Sequence, residues 1–138
     1  MIILDTDVLS GLMRPVRDVE LGGWINQQPV ESIWTTAITF FEIRFGIDLL
    51  PQGRRRTLLE TSFARCFQED LQEHIVDFDR EAAREAASMS ARRQLAGRPV
   101  EIRDIEIAGI VAAHHATLAT RNVRHFENLG IEVVNPWA

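Results

Sequence analysis

Three acidic residues stand beside apolar stretches at widely separated points of this 138-residue chain. Asp5 directly follows "MIIL", Glu42 follows "TFF", and Asp104 opens "DIEIAGIVAAHHA". Carboxylates that meet in a fold repel one another, and burial raises their pKa values further, so such a cluster is stable chiefly where a cation neutralises it. Oxygen ligands select hard cations, which favours Mg²⁺ or Mn²⁺ over Zn²⁺ or copper.

Each acid also has a purely structural explanation. Asp104 could simply favour the positive end of a helix, and Glu42 alone is typical of a solvated helix position. An acid placed directly after a strand, as Asp5 is, is better explained by a ligand than by chance. The segment "LATRN" ends another strand and carries Thr120 and Asn122, a hydroxyl and an amide that could join the same site.

The elements that must position these side chains alternate along the chain. Short β-branched runs predict strands, and the stretches between them have the spacing and composition of helices. Asp79 is an expected N-cap of a helix that ends near Gly97, and another helix is expected to begin at or near Asp104. The segment "TAITFFEIRFGIDLL" predicts an amphipathic helix with these residues on one side: Ile38, Phe41, Phe45 and Leu49. The predicted strands lie at 2–4, 32–35, 75–76, 117–119 and 131–134.

This alternation predicts an α/β fold of three layers, in which helices cover both faces of a central parallel sheet. No linker, repeat or shift of composition divides the sequence, so residues 1–138 are expected to form a single domain. Parallel sheets bind ligands outside the carboxyl ends of their strands. Asp5, Thr120 and Asn122 belong at that edge, and the other two acids are expected to reach it from helices.

The composition is that of an ordinary globular protein. The net charge of −5 argues against nonspecific coating of nucleic acid, but not against a local basic rim beside a metal. No apolar run approaches the ~20 residues needed to span a bilayer, so no membrane association is expected. A single cysteine, Cys66, cannot form an internal disulfide, which favours a reducing cytoplasm.

Four motifs resemble those of the PIN domain family, in particular the VapC and FitB toxins of bacterial toxin–antitoxin pairs. They are "ILDTDVLS", "TAITFFEIRFGI", "RDIEIAGIVAA" and "LATRNVRHF", and the closing "NPW" is similar to FitB-like members. Each motif alone is weakly specific, whereas all four in this order within so short a chain are strongly specific. The resemblance extends over the whole chain and implies a single PIN domain.

The resemblance implies Mg²⁺- or Mn²⁺-dependent hydrolysis of RNA by an activated water, which leaves a 5′-phosphate and a 3′-hydroxyl. In that family the acids matching Asp5 and Asp104 hold the metal, and the acid matching Glu42 completes the cluster. Hydroxyls matching Thr6 and Thr120 orient ligands and water. The resemblance also implies a homodimer and a cognate antitoxin whose helix lies in an apolar groove. "FFEIRFGIDLL" and "LLETSFARCF" are candidates to line that groove, with core or dimer packing as the alternative.

The sequence departs from the family where a fourth acid is often found, because Asn122 and His125 occupy those positions. We therefore expect one metal to bind well and a second poorly. His125 either contacts a phosphate when protonated or packs, and we favour packing. Asp7 either restores some negative charge or serves the start of the first helix. Arg103, which precedes Asp104, is the candidate phosphate ligand, since a guanidinium there could stabilise developing charge.

The same departure supports a second hypothesis, a catalytically weak PIN module that acts mainly as the partner of a DNA-binding antitoxin in a FitAB-like repressor complex. In either case DNA is contacted only indirectly, through the antitoxin. Recognition of the RNA is expected to depend on shape and loops rather than on a readable sequence code.

Overall fold

The computed structural model describes residues 1–138. The strands are β1 (Ile2–Leu4), β2 (Ile33–Thr36), β3 (Ile75–Val76), β4 (Thr117–Ala119) and β5 (Glu132–Val134). The α-helices are α1 (Thr6–Leu12), α2 (Val19–Asn26), α3 (Ala37–Asp48), α4 (Arg54–Arg65), α5 (Arg80–Leu95) and α6 (Ile102–Ala113). No helix has the length and apolar character required to cross a bilayer.

The five strands form one parallel sheet in the order β3-β2-β1-β4-β5, which confirms the predicted α/β fold. The chain starts in the middle of the sheet, extends to one edge through β2 and β3, and then crosses to the other side for β4 and β5. This reversal leaves a crevice between the carboxyl ends of β1 and β4, the usual place for a ligand in an open parallel sheet.

Two hydrophobic cores cover the two faces of the sheet. Successive strand residues point to opposite faces, and the adjacent residues Ile3 and Leu4 are accordingly both fully buried but in different cores. Side chains of α1 to α4 pack around Leu4, whereas α5 and α6 pack around Ile3. The predicted three-layer arrangement is therefore confirmed.

Helix α6 approaches α5 so closely that the contact requires glycine. A Cβ atom built on Gly109 would lie 2.5 Å from the carbonyl oxygen of Ala82 and 2.7 Å from the Cβ of Ala86. Real Cβ atoms do not make such contacts, so glycine at position 109 allows α6 to pack this closely against α5. The first turn of α6 contains Arg103 and Asp104, and their placement depends on this packing.

The predicted buried face of α3 is wrong, whereas the predicted start of a helix near Asp104 is confirmed. In α3 the expected apolar face is largely exposed, with Phe41 at 54% and Leu49 at 69%, while Thr39, Ile43 and Ile47 are buried. The α6 helix is capped by the side chain of Glu101, which accepts hydrogen bonds from the backbone N–H groups of residues 103 and 104, so Asp104 lies within the first turn. Asp79 caps α5 as predicted.

Candidate active site

Asp5 lies in the crevice between β1 and β4. One carboxylate oxygen caps α1 by accepting a hydrogen bond of 3.0 Å from the backbone N–H of Val8. The other accepts a hydrogen bond from the hydroxyl of Thr120, which directly follows β4. Only 5% of Asp5 is exposed. Both bonds fix the carboxylate in place without supplying a positive charge.

Burial raises the pKa of Asp5 to about 6, which is the largest effect on this group. The hydrogen bonds from Thr120 and Val8 act in the opposite direction, and the negative charges of Asp7 and Asp104 raise the pKa further. An acid in this position is costly to ionise without a cation nearby, since both low solvent access and like charges disfavour the anion.

Glu42 reaches the same crevice from α3. The hydroxyl of Thr6 donates a hydrogen bond of 2.9 Å to Oε1 of Glu42 and lies 3.2 Å from the hydroxyl of Thr39. On the other side, a guanidinium nitrogen of Arg103 is 3.6 Å from Oε2 of Glu42. The cation of Arg103 also lies over the ring of Phe41, 5.6 Å from its centroid. The candidate phosphate ligand is thus beside the acid cluster, as expected.

Asp104 faces His125 across the cleft, with 3.3 Å between Oδ2 of Asp104 and Nδ1 of His125. Partial burial is the main cause that raises the pKa of Asp104; His125 lowers it, while Glu101 and Glu42 raise it. The expectation that His125 merely packs is wrong, because its side chain is exposed and lines the cleft. The short helical turn Val123–Phe126 places it there.

Asp7 contributes a further carboxylate to the rim of the cleft. Its side chain accepts a hydrogen bond from the amide of Asn122, across 115 residues of sequence. The backbone N–H of Asn122 donates a hydrogen bond of 3.0 Å to the hydroxyl of Thr120. The segment after β4 therefore holds both Asp5 and Asp7, and Asp7 adds negative charge where the expected fourth acid is missing.

The sequence-predicted acids share one cleft of about 170 Å³. Its lining residues are Asp5, Thr6, Asp7, Glu42, Asp104, Ile107, Asn122 and His125. No three acidic, histidine or cysteine side chains stand close enough to surround an ion as they are placed. Each carboxylate instead has a partner in the protein. The composition of the cleft, with oxygen donors and excess negative charge, fits a hard divalent cation.

An apolar groove of about 430 Å³ runs beside the cleft between α1, α3 and α4. Its apolar lining includes Met13, Ile43, Ile47, Leu58 and Leu59. Thr6 and Glu42 line both the groove and the acidic cleft, so the two are continuous. The predicted lining is only partly correct, because Phe40, Phe63 and Phe67 pack against one another instead.

The family model of the PIN domain matches residues 2–132. The chain belongs to the PIN domain family. VapC ribonuclease Y4jK from Sinorhizobium fredii is 34% identical to it, over 99% of this chain and 98% of the relative. Toxin FitB from Neisseria gonorrhoeae is 29% identical, over 99% of both chains.

Solved structures agree with this assignment. This PIN domain matches a chain in the structure of FitAB bound to an IR36 DNA fragment with a TM-score of 0.89 and 29% identity, covering 100% of this chain and 96% of the other. It matches a chain of the FitAcB crystal structure from Neisseria gonorrhoeae with a TM-score of 0.85 and 28% identity, covering 99% of each. The DNA-bound VapBC structure from Salmonella typhimurium, at 22% identity and a TM-score of 0.81, shares the fold.

Two features of this PIN domain's site could not be assigned from sequence. Thr39 is completely buried and joins the network of Thr6, although a threonine inside a helix carries no signal for such a role. His125 enters the cleft through a short turn whose direction depends on the packing of Phe126 in the core. The available hint was that His125 stands where the family often has a fourth acid, and the polar and apolar residues of "NVRHF" do not distinguish a core contact from a cleft contact.

Proposed function

We propose that this PIN domain is the toxin of a type II toxin–antitoxin system and a Mg²⁺- or Mn²⁺-dependent endoribonuclease. The main support is the convergence of Asp5, Glu42 and Asp104, from three distant segments, on one small cleft at the switch point of the sheet. Relatives named as a VapC ribonuclease and as toxin FitB agree with this proposal. Cys66 offers no alternative nucleophile, because it is buried and its pKa is raised to about 11.

In this proposal Asp5 and Asp104 hold the divalent cation, and Glu42 completes the set of acids. The cation, when bound, supplies the positive charge that activates a water and polarises the phosphodiester. Thr120 and Thr6 orient the carboxylates of Asp5 and Glu42, as outer partners of metal ligands do. Arg103 then neutralises phosphate charge as it develops.

We assign the apolar groove to a cognate antitoxin. A groove lined by aliphatic side chains between helices suits the apolar face of an amphipathic helix. Because Glu42 and Thr6 lie at its junction with the cleft, a basic side chain of such a helix can reach the acids and block them. The toxin itself contacts DNA only indirectly, through the antitoxin, and acts in the cytoplasm, where RNA is abundant.

A homodimer is also proposed, and the exposed face of α3 supports it. The rings of Phe41 and Phe45 are nearly parallel, with an interplanar angle of 11°, and are 54% and 47% exposed. Exposed aromatic side chains grouped on one helix are typical of an interface. Sedimentation of the wild type and of a Phe45→Ser variant tests this assignment, which predicts dissociation in the variant.

The experiment that tests the enzymatic proposal is cleavage of 5′-labelled RNA by the purified toxin, with Mg²⁺, with Mn²⁺ and with chelator. Wild type is expected to cleave only with a divalent cation, and Asp5→Asn to lose at least about 100-fold in rate. Glu106→Gln is the matched control, since Glu106 lies on α6 but does not line the cleft. Cleavage that persists in Asp5→Asn or in chelator contradicts the proposal.

The second candidate function is a weakly active module that serves mainly as the antitoxin's partner. Asn122 and His125 favour it, because neither position supplies the acid that would help to hold a second cation. The relatives FitAB and VapBC in DNA-bound structures are consistent with such a role. Negligible cleavage in wild type and Asp5→Asn alike, together with tighter DNA binding by the antitoxin when the PIN domain is present, would support it.

A further inference from the structure

The three-residue segment after β4 connects the acid cluster to the C-terminus. Thr120 donates a hydrogen bond to Asp5, and the amide of Asn122 donates one to Asp7. Between them, the exposed Arg121 lines neither the cleft nor the groove. Its guanidinium has no carboxylate within 4.0 Å; it lies over the indole of Trp137, 4.5 Å from the ring centroid.

Trp137 is itself fixed by three contacts. Its indole N–H donates a hydrogen bond of 2.9 Å to Asp18, and its backbone N–H donates one of 2.9 Å to the side chain of Asn135. The ring also lies against α1 at Gly11, where a Cβ atom would be only 3.2 Å from the indole. The indole is therefore held against α1, the helix that Asp5 caps.

These contacts form a closed circuit around the site. It runs from Asp5 along α1 to Trp137, from the indole to Arg121, and from the segment after β4 back to Asp5 and Asp7. A guanidinium over an indole face is an attractive contact that orients both groups. With the indole fixed on α1, the backbone between Thr120 and Asn122 is restrained relative to the acids.

We infer that Trp137 is a positioning residue for the acid cluster and that it acts through Arg121 on the segment carrying Thr120 and Asn122. The inference rests on the proposed function in taking Asp5 as a metal ligand. Side chains bonded directly to metal ligands typically change metal affinity by about 10- to 100-fold when they are removed, and Trp137, which acts one contact farther out through Arg121, is expected to have an effect of roughly threefold. The C-terminal tryptophan, outside the cleft, thus contributes to how well the cleft binds a cation.

The test starts from metal-free preparations of wild type, Trp137→Ala and Trp137→Phe. Calorimetric titration measures their affinity for Mn²⁺, and hydrogen exchange of the backbone N–H of Asn122 measures how firmly the segment is held. Trp137→Ala is expected to raise the Mn²⁺ dissociation constant about threefold and to accelerate exchange of the Asn122 backbone N–H. Trp137→Phe keeps an aromatic face for Arg121 and is expected to recover most of both losses. Trp24→Ala is the matched control, because Trp24 packs against the same core without contacting this circuit.

The inference is overturned if Trp137→Ala changes Mn²⁺ affinity and Asn122 exchange no more than Trp24→Ala does. It is also overturned if Arg121→Ala weakens Mn²⁺ binding while Trp137→Ala does not, since Arg121 then acts without the indole. Neither readout requires RNA, so an inactive toxin that binds Mn²⁺ refutes the enzymatic proposal and not this one. If wild type binds no Mn²⁺, the metal site fails, and exchange at Asn122 still decides whether Trp137 restrains the segment.

Discussion

The hydroxyl of Thr120 donates a hydrogen bond to the carboxylate of Asp5 across 115 residues of sequence. The contact exists because β1 and β4 are neighbours at the point where the sheet reverses its strand order. It gives the most buried acid of the cleft a neutral partner and leaves its charge uncompensated. Asp5 is therefore oriented by the fold but not neutralised by it.

The first prediction concerns pH. The pKa of Asp5 is raised to about 6 in the folded protein, whereas an aspartate in the unfolded chain has a pKa of about 3.9. Asp5 therefore keeps its proton to a higher pH in the folded state than in the unfolded state. Between these values the folded state binds more protons, so the contribution of Asp5 to stability falls as pH rises from about 4 to 7. The free energy of unfolding decreases over this range by on the order of 3 kcal/mol.

Urea unfolding in chelator at several pH values measures this effect. Asp5→Asn has no group to titrate at this position and is expected to lose less stability than wild type over the same range. Parallel pH profiles for the two proteins would show that Asp5 is not the buried acid described here.

The second prediction concerns divalent cations. A ligand that binds only the folded protein and is present at ten times its dissociation constant adds about 1.4 kcal/mol to the free energy of unfolding. For a chain of this size, that raises the melting temperature by roughly 4 °C. Millimolar Mg²⁺ or Mn²⁺ is therefore expected to raise the melting temperature, and Asp104→Asn to abolish much of the rise. In chelator the same substitution is expected to stabilise the protein at neutral pH, because it removes a carboxylate whose pKa is raised mainly by burial.

Thermal unfolding with and without cation, on wild type, Asp104→Asn and Glu106→Gln, provides the comparison. Glu106 lies two residues farther along α6 and outside the cleft, so its variant should keep the full rise. An equal rise in all three proteins would place the cation elsewhere.

The third prediction is that an acid at position 125 strengthens metal binding. His125→Asp places a carboxylate opposite Asp104, where the side chains are now 3.3 Å apart, and supplies the missing acid. We expect Mn²⁺ affinity to increase several-fold and metal-free stability to decrease, because the added charge repels its neighbours. Calorimetric titration measures the first effect and unfolding in chelator the second. His125→Asn is the neutral control, and an affinity no higher in the Asp variant than in this control would contradict the assignment.

The fourth prediction tests the helix packing that positions Asp104. Gly109→Ala forces a methyl group against Ala82 and Ala86 on α5, and overpacking of this kind costs about 1–3 kcal/mol or more. Gly23→Ala in α2 is the control, since nothing lies within 4 Å of its added Cβ and helical alanine is favoured by about 1 kcal/mol. The two variants should shift the urea midpoint in opposite directions; a neutral Gly109→Ala would mean that α6 sits less tightly than described.

The sequence predicted the fold class and the acids, because strand ends and helix starts carry local signals. Asp5 follows a strand directly, and a parallel sheet sends such a residue to its carboxyl edge whatever the strand order. The order of the strands itself was not predictable, since no short segment encodes which strands become neighbours.

The buried face of α3 was predicted incorrectly for a physical reason. The helix carries apolar residues on two faces, and local spacing cannot decide which face meets the core. Phe41 and Phe45 fit helical periodicity as well as Ile43 and Ile47 do. In the structure Ile43 and Ile47 pack in the core around Leu4, and Thr39 on the same side is buried 3.2 Å from the hydroxyl of Thr6, 33 residues away.

The most direct measurement of the central claim is a crystal structure of the protein soaked in Mn²⁺, with anomalous scattering used to locate the ion. We expect one strong peak in the cleft, with carboxylate oxygens of Asp5 and Asp104 coordinating the ion and the contact between Asp104 and His125 broken. A protein that binds Mn²⁺ only outside this cleft, with Asp5 and Asp104 keeping their present partners, would contradict it.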